Sequence, residues 1–188
     1  MLEKIIALDK KVFIFLNGLG SPAWDGFLQI VTKQLNWAPL FLLVFYLLYK
    51  KIGWKNLGLV LLFIAVLILF CDQTCNLFKR TFERLRPCNT PDIKDFIRIV
   101  ERRDSFSFFS GHAANSMAST VFVFSIFRKY YKHAYLLFLF PLIFAYSRIY
   151  LGLHFPIDIL TGYAFGATFG WLMSKAYVYY HSRYRAAK

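Results

Sequence analysis

Cysteine is scarce in this chain of 188 residues, which contains only three. The number is odd, and Cys71 and Cys75 lie close together within one apolar run, so no disulfide framework is expected. The chain has no Cys-x-x-Cys pair and no His-rich tract, which argues against a structural zinc site. Charged residues are also few, at 18%, whereas 58% of the residues are hydrophobic and 20% are aromatic. This composition excludes a disordered chain, a collagen and a disulfide-stapled miniprotein.

Acidic residues number only 10 against 23 Lys and Arg, which gives a formal net charge of +13. Such an excess can indicate a nucleic-acid-binding protein, in which Lys and Arg concentrate on one solvated face. Here the basic residues lie in short clusters between apolar segments, as in 50–55 and 128–132. These clusters are more simply interpreted as parts of the loops that connect the apolar segments, and no nucleic-acid partner is expected.

Long apolar runs are abundant, and five of them approach the roughly 20 residues that cross a bilayer as a helix. Five such runs in a chain of 188 residues leave little else to fold. The sequence therefore predicts an all-α integral membrane bundle that forms a single domain, 1–188, with about five transmembrane helices. The predicted crossings cover 37–49, 57–78, 110–127, 134–146 and 156–177.

The N-terminal segment, 1–26, differs from these runs because charged residues are interleaved with its apolar ones. This pattern predicts an amphipathic helix that lies along the membrane interface. The Gly- and Pro-containing stretch 18–22 predicts a helix end, followed by a new helix that begins near Pro22. Lys10 and Lys11 interrupt the apolar pattern, so no cleavable signal peptide is expected.

The distribution of basic residues predicts the orientation of the bundle. The turns 50–55 and 128–133 and the C-terminal tail are each basic, and alternation along five crossings places all three on one side, which we predict to be cytoplasmic. The loop 79–109 then lies on the opposite, outer face, as does the N-terminal helix. This loop is rich in Lys and Arg, against the positive-inside rule, so those cations require another role.

Three groups of polar residues are predicted to share the outer face, and together they have the chemistry of an anion site. Arg side chains offer a planar fork that matches phosphate oxygens, and Lys adds a fixed charge. The start of the third crossing offers unpaired backbone N–H groups and the positive end of a helix dipole. The groups are Lys79 with Arg86 and Pro87, then Ser110, Gly111 and His112, then Ser147, Arg148, His154 and Asp158.

Two histidines supply acid and base roles beside these cations. His154 and Asp158 are four residues apart, so the carboxylate can hold the imidazole tautomer that leaves one ring nitrogen free to attack. Pro156 indicates that the helix begins between them, so His154 would reach Asp158 from the helix cap. His112 remains as the proton donor. The pattern predicts phosphoryl transfer to water through a phosphohistidine.

The order and spacing of these groups resemble the type 2 phosphatidic acid phosphatases, also called lipid phosphate phosphatases. The family motifs are K-x6-R-P, P-S-G-H and S-R-x5-H-x3-D, in this order. Lys79 to Pro87 matches the first motif, 109–112 matches the second except at Phe109, and Ser147 to Asp158 matches the third. The resemblance extends over about 70–175. Phe109 replaces the usual proline, which removes a rigid entry to the phosphate site but no chemical group.

The resemblance implies a role for each matched residue and needs no metal or other cofactor. His154 would be the nucleophile, Asp158 its orienting partner and His112 the general acid. The implied phosphate-binding residues are Lys79, Arg86, Ser110, Gly111, Arg148 and Ser147, of which Ser147 would form a hydrogen bond near the phosphate.

The predicted function is therefore hydrolysis of a terminal phosphate from a membrane lipid. Undecaprenyl diphosphate, phosphatidylglycerophosphate, phosphatidic acid and lipid A phosphate all remain candidates. The short chain and its single compact loop are typical of bacterial members, which favours undecaprenyl diphosphate or phosphatidylglycerophosphate, with lipid A phosphate open for a Gram-negative source. A bacterial origin also predicts a multi-pass protein of the inner membrane with its site on the periplasmic face.

Two alternatives stay open beside this hypothesis. A non-catalytic protein that binds or transports phosphorylated lipids would need the cations but not the two histidines. A vanadate-dependent haloperoxidase shares the motifs but is soluble and larger. Among the other charges, Asp72 could pair with a cation of the site or pack between helices, whereas Arg80, Glu83 and Arg84 are interpreted as solvated or headgroup-facing.

Overall fold

The computed structural model describes residues 1–186, in which the regular elements are all helices, joined by turns and loops, and no β-strand occurs. An all-α architecture is thus confirmed. Short 3-10 turns precede or connect the helices at Gln34–Trp37, Pro87–Asn89, Lys94–Phe96 and Ala134–Phe138. The α-helices are α1 (Leu2–Gly18), α2 (Pro22–Val31), α3 (Ala38–Phe82), α4 (Gly111–Phe127), α5 (Leu139–Tyr150) and α6 (Pro156–Ala186).

Helix α3 contains the first two predicted crossings without a loop between them. Its two arms, 38–52 and 54–82, meet at Gly53, which has φ 73° and ψ 171°. A positive φ of this kind strains a residue that carries a Cβ, so glycine allows the kink at low cost. Among the described residues, Gln34–Asn89 is the segment long and apolar enough to span a membrane, and Ala134–Tyr150 is a shorter apolar helix. The number of crossings therefore stays a prediction.

Helices α4 and α6 approach each other closely, and this contact positions the start of both helices. Gly162 and Gly166 of α6 lie against the backbone of α4, and a Cβ at Gly162 would come within 2.7 Å of the Ser110 carbonyl oxygen. Small residues permit this approach between membrane helices. The backbone N–H of Ser110 then donates to the carbonyl of Asp158 at 3.0 Å.

Helices α1 and α2 pack on the end of the bundle where α5 ends and α6 begins. Helix α2 begins at Pro22, as predicted. Phe13 of α1 contacts Phe155 with ring centroids 5.3 Å apart. The buried Asn17 amide lies 3.0 Å from the Tyr150 carbonyl oxygen and accepts a bond from the Arg98 backbone at 2.7 Å. Helix α1 is thus a packed part of the bundle as well as an amphipathic helix, and its place at the membrane interface stays a prediction.

The two predicted basic turns meet at the other end of the molecule. The ammonium group of Lys51 lies 5.9 Å from the ring centre of Tyr131, and the Tyr131 hydroxyl donates to the carbonyl of Leu47 at 3.1 Å. Which side of the membrane this end faces stays a prediction. That prediction also uses the C-terminal tail, whose last two residues, 187–188, lie outside the described residues.

Candidate active site

The nucleophile predicted from the sequence lies in the connector between α5 and α6. His154 is 1% exposed, and its Nδ1 atom is 3.5 Å from Oδ2 of Asp158 in the first turn of α6. The same carboxylate oxygen accepts hydrogen bonds from the Phe155 backbone N–H at 2.9 Å and from the Ser107 hydroxyl. Asp158 is therefore fixed beside the ring nitrogen of His154, in the relation that their spacing predicts.

The other ring nitrogen of His154 faces a guanidinium group. Nη1 of Arg86 lies 3.1 Å from Nε2. Because a guanidinium has no acceptor, this contact requires a lone pair on Nε2 and places the ring proton on Nδ1, toward Asp158. Burial, opposed by the Asp158 carboxylate and assisted by the charge of Arg86, lowers the pKa of His154, so the imidazole is neutral. A neutral imidazole with a free Nε2 lone pair is the form that can act as a nucleophile.

Arg86 is held rigidly by the loop around it. Its guanidinium donates to the Ser105 carbonyl at 2.7 Å, to the Ser105 hydroxyl at 3.0 Å and to the Leu153 carbonyl at 2.9 Å. These bonds hold the guanidinium group in one orientation beside His154. Ser105 and Ser107, which fix Arg86 and Asp158, lie outside the sequence motifs and were not predicted.

Arg148 is a second buried cation, 1% exposed, in the last turn of α5. Its Nη1 atom donates to the Thr32 hydroxyl at 2.6 Å. Its Nε atom is buried without a partner among the described residues. A buried guanidinium of this kind favours an anion, and phosphate oxygens match its donors. Thr32 was not predicted either, because it lies far from the motifs in the sequence.

His112, the predicted acid, occupies a more open position. Its ring stacks on Phe144 with centroids 5.1 Å apart. It lines a cavity of about 650 Å³ between the arms of α3, α4 and α5, which Lys79 also lines. It lines a second, smaller cavity of about 420 Å³ together with Glu101 and Arg103. His112 therefore lies where a largely apolar space meets a polar one.

The interpretation of Arg84 as a solvated or headgroup-facing charge is wrong. Its Nη1 atom pairs with Oδ1 of Asp158 at 2.6 Å, and its Nη2 atom pairs with Oδ2 of Asp9 at 2.6 Å. Asp9 of α1 is 3% exposed and also accepts from the Ile157 backbone N–H at 2.9 Å. An acidic residue on the buried side of an otherwise amphipathic helix was the available signal for this contact.

The remaining predicted residues have partners inside their own elements. Ser110 caps α4, since its hydroxyl accepts from the Ala113 N–H at 3.4 Å, and Gly111 is the first residue of that helix. The Ser147 hydroxyl donates to the Phe144 carbonyl at 2.6 Å, so its proton is used within α5 and not toward a phosphate.

Two residues that the sequence left uncertain have defined surroundings. Phe109, at the position of the family proline, is buried and contacts Phe78 and Phe165 with centroids 5.2 and 5.0 Å apart. The packing of these aromatic rings thus fixes the position of the backbone that leads into α4. Asp72 accepts a hydrogen bond from the Asn115 amide at 2.6 Å, which is the helix-packing role and not a pair with a cation.

The chain matches the model of the PAP2 superfamily over residues 57–182. It is 38% identical to a lipid A 4'-phosphatase of Bacteroides thetaiotaomicron over 176 residues, covering 92% of this chain and 78% of the relative. It is 32% identical to a lipid A 4'-phosphatase of Porphyromonas gingivalis over 190 residues, covering 99% of this chain and 80% of the relative.

Two solved structures share the fold. A transmembrane PAP2 type phosphatidylglycerolphosphate phosphatase from Bacillus subtilis superposes with a TM-score of 0.69 at 20% identity, covering 92% of this chain and 85% of that one. LpxE from Aquifex aeolicus superposes with a TM-score of 0.62 at 21% identity, covering 88% of this chain and 93% of that one. At these identities the likeness concerns the fold.

Proposed function

Because the chain belongs to the PAP2 superfamily and is a membrane lipid phosphatase, we propose that it removes the 4'-phosphate of lipid A. The substrate rests on the two relatives, which are both lipid A 4'-phosphatases and match nearly the whole chain. The observation that carries the chemistry is the buried His154 ring, held by Asp158 on one side and facing Arg86 on the other. A binding protein would need the cations but not this arrangement.

The proposed reaction has two steps. Nε2 of His154 attacks the phosphorus atom while the bond between phosphorus and the sugar oxygen breaks, and His112 donates a proton to the departing oxygen. The Nδ1 proton stays between His154 and Asp158, which stabilises the positive charge on the phosphorylated ring. A water molecule then attacks the phosphohistidine and gives its proton to His112, which restores both histidines and releases inorganic phosphate.

The cations hold the phosphate during both steps. Arg86 lies beside the attacking nitrogen, and the unpartnered Nε–H of Arg148 is a donor for a phosphate oxygen. Lys79 adds charge from the wall of the large cavity, and the first backbone N–H groups of α4, at Gly111 and His112, add donors at a helix N-terminus. Such prearranged donors act where charge develops in the transition state.

The proposed location of the reaction is the outer, periplasmic face of a bacterial inner membrane. The basic turns 50–55 and 128–133 lie at the end of the bundle opposite the site, and basic turns favour the cytoplasm. The substrate would keep its acyl chains in the bilayer and present its phosphate at the ends of α3, α4 and α5.

Phosphate release by the detergent-purified protein tests the proposal. The panel contains lipid A, phosphatidylglycerophosphate, phosphatidic acid and undecaprenyl diphosphate, each with EDTA present. We expect the highest kcat/KM for lipid A, with loss of the 4'-phosphate visible by mass spectrometry. His154→Ala should lower turnover by at least about 10⁴-fold, as removal of a nucleophile usually does.

His133→Ala is the matched control, because His133 is an exposed residue that contacts Tyr135 at 3.2 Å, away from the site. It should keep full activity. A preference for another lipid of the panel would overturn the proposed substrate but keep the enzyme. Lipid binding without phosphate release from any member of the panel would favour the non-catalytic alternative.

A further inference from the structure

The large cavity beside the site has a polar side that the proposed reaction does not use. His112, Asn115, Ser119 and Thr120 line it from α4. His112, Asn115 and Ser119 are spaced three and four residues apart, which places them on one face of the helix, and Thr120 lines the cavity beside Ser119. Because a helix rises about 1.5 Å per residue, this face reaches about 12 Å from His112 along the axis of the bundle.

Helix α3 adds polar groups on the facing wall, at Asp72 and Asn76. The Asn115 amide group donates to Asp72, but its carbonyl oxygen, Oδ1, is buried without a partner among the described residues. Asn76, Ser119 and Thr120 likewise form no side-chain hydrogen bond within the described part of the chain. Several donors and acceptors therefore face the cavity unpaired.

The rest of the cavity wall is apolar. It is built from side chains of both α3 arms and of α5, among them Val44, Phe45, Leu61, Ile64, Ile68 and Phe140. The volume of about 650 Å³ lies within the range of ligand pockets. The cavity is thus polar along one side near His112 and apolar elsewhere.

Unpaired polar groups within a membrane bundle are costly unless they meet water or a polar ligand. A plain hydrocarbon chain in this cavity would leave the hydroxyl groups of Ser119 and Thr120 without partners. A chain that carries its own hydroxyl close to the phosphate would pair with them, while its remaining methylene groups contact the apolar wall.

We infer that this cavity binds a substrate acyl chain that carries a hydroxyl group within about 12 Å of the phosphate. The inference rests on the proposed function, since it takes His112 as the group beside the departing sugar. It assigns to Ser119 and Thr120 a role in specificity: they distinguish hydroxylated acyl chains from plain acyl chains.

Two synthetic lipids test the inference. Both are phosphorylated glucosamine lipids with the same chain lengths, but one carries 3-hydroxyacyl chains and the other the 3-deoxy chains. We expect the enzyme to hydrolyse the hydroxylated lipid with a kcat/KM about tenfold higher, since a site built to hydrogen-bond a hydroxyl disfavours the analogue that lacks it.

The variant S119A/T120V removes both hydroxyl groups with little change of volume. It should lower the preference to about twofold or less, because the rate on the hydroxylated lipid falls toward the rate on the 3-deoxy lipid. Circular dichroism and the thermal unfolding midpoint of the purified variant report whether it is folded. Ser125→Ala is the matched control, because the Ser125 hydroxyl donates to the Phe122 carbonyl at 2.7 Å and lies outside the cavity. It should keep the full preference.

Equal rates of the wild-type protein on the two lipids would overturn the inference and leave the phosphatase proposal intact. A preference that survives S119A/T120V would also overturn it, because the hydroxyl would then be recognised elsewhere. Failure to hydrolyse either lipid, with turnover of another lipid phosphate, would overturn the proposed substrate and this inference together.

Discussion

The two histidines of the site are held in opposite ways. His154 is buried, with Asp158 and Ser107 beside one ring nitrogen and Arg86 beside the other. His112 forms no side-chain hydrogen bond within the described residues and is positioned by stacking on Phe144, at the border of two cavities. Polar contacts fix the first ring, and packing alone orients the second.

This difference suits the two proposed roles. A nucleophile must present one tautomer to the phosphorus atom. Polar groups that already hold the ring in this tautomer and orientation lower the activation free energy. A general acid must reach an oxygen that belongs to the substrate, and its hydrogen bond forms only when the substrate is present. The structure thus predicts that polar mutations around His154 and packing mutations around His112 will have different effects.

The largest effect among variants that keep both histidines is expected for Asp158→Asn. The amide would no longer hold the proton on Nδ1, and loss of the orienting carboxylate costs about 10⁴-fold in a comparable triad. Steady-state phosphate release should show the loss in kcat. Asp92→Asn is the matched control, because Asp92 is an exposed carboxylate that pairs with Lys10 at 2.6 Å. Comparable losses in the two variants would contradict the role of Asp158.

His112→Gln should lower kcat on the lipid substrate by about 10²- to 10³-fold, within the range of general-acid catalysis. The loss should be much smaller with 4-nitrophenyl phosphate, whose leaving group needs no proton. The two substrates are compared on the same preparation, so the ratio of the losses is independent of protein folding. An equal loss on both substrates would show that His112 does not donate the proton.

The sequence predicted the placement of His154 beside Asp158 better than the other contacts around the two rings. His154 and Asp158 could be found because they are four residues apart, and Arg86 because it belongs to a motif of fixed internal spacing. Arg84 lies inside the first motif, yet it was misinterpreted because its partner, Asp9, is on a helix that folds back from the N-terminus. Pairing across so long a separation depends on tertiary packing, which a pattern of residue types does not contain.

The kink in α3 illustrates the same limit for the fold. Apolar runs and helix-breaking residues predicted helices in the right parts of the chain and the start of α2 at Pro22. They did not predict that two crossings would join at Gly53 without a loop. Nor did they predict the packing of α1 on the site, because its apolar face was equally consistent with the membrane interface.

A smaller effect is expected where the support of His154 is indirect. Arg84→Met should lower kcat about tenfold with little change in KM, because the Arg84 guanidinium is already paired with Asp158 and Asp9 and would act through Asp158. Asp9→Asn should cost less, and the double variant should cost little more than Arg84→Met alone, since both act on one contact. Arg80→Ala is the control, because Arg80 is an exposed neighbour on the same helix end. Additive losses would indicate that Asp9 acts independently of Arg84.

The smallest effect is expected for Phe144→Leu, which removes the ring on which His112 stacks. Lost packing should let the imidazole move and lower kcat about three- to fivefold, since packing positions the ring without a fixed hydrogen bond. In the His112→Gln background the same change should have no further effect on kcat, because no proton donor remains to be misplaced.

Phe122→Leu is the control for a general loss of packing, because Phe122 is a fully buried residue of α4 whose ring stacks on Phe63. An equal effect of Phe144→Leu with and without His112 would show that the stack supports the bundle and not the acid, and the contrast between the two histidines would then no longer hold.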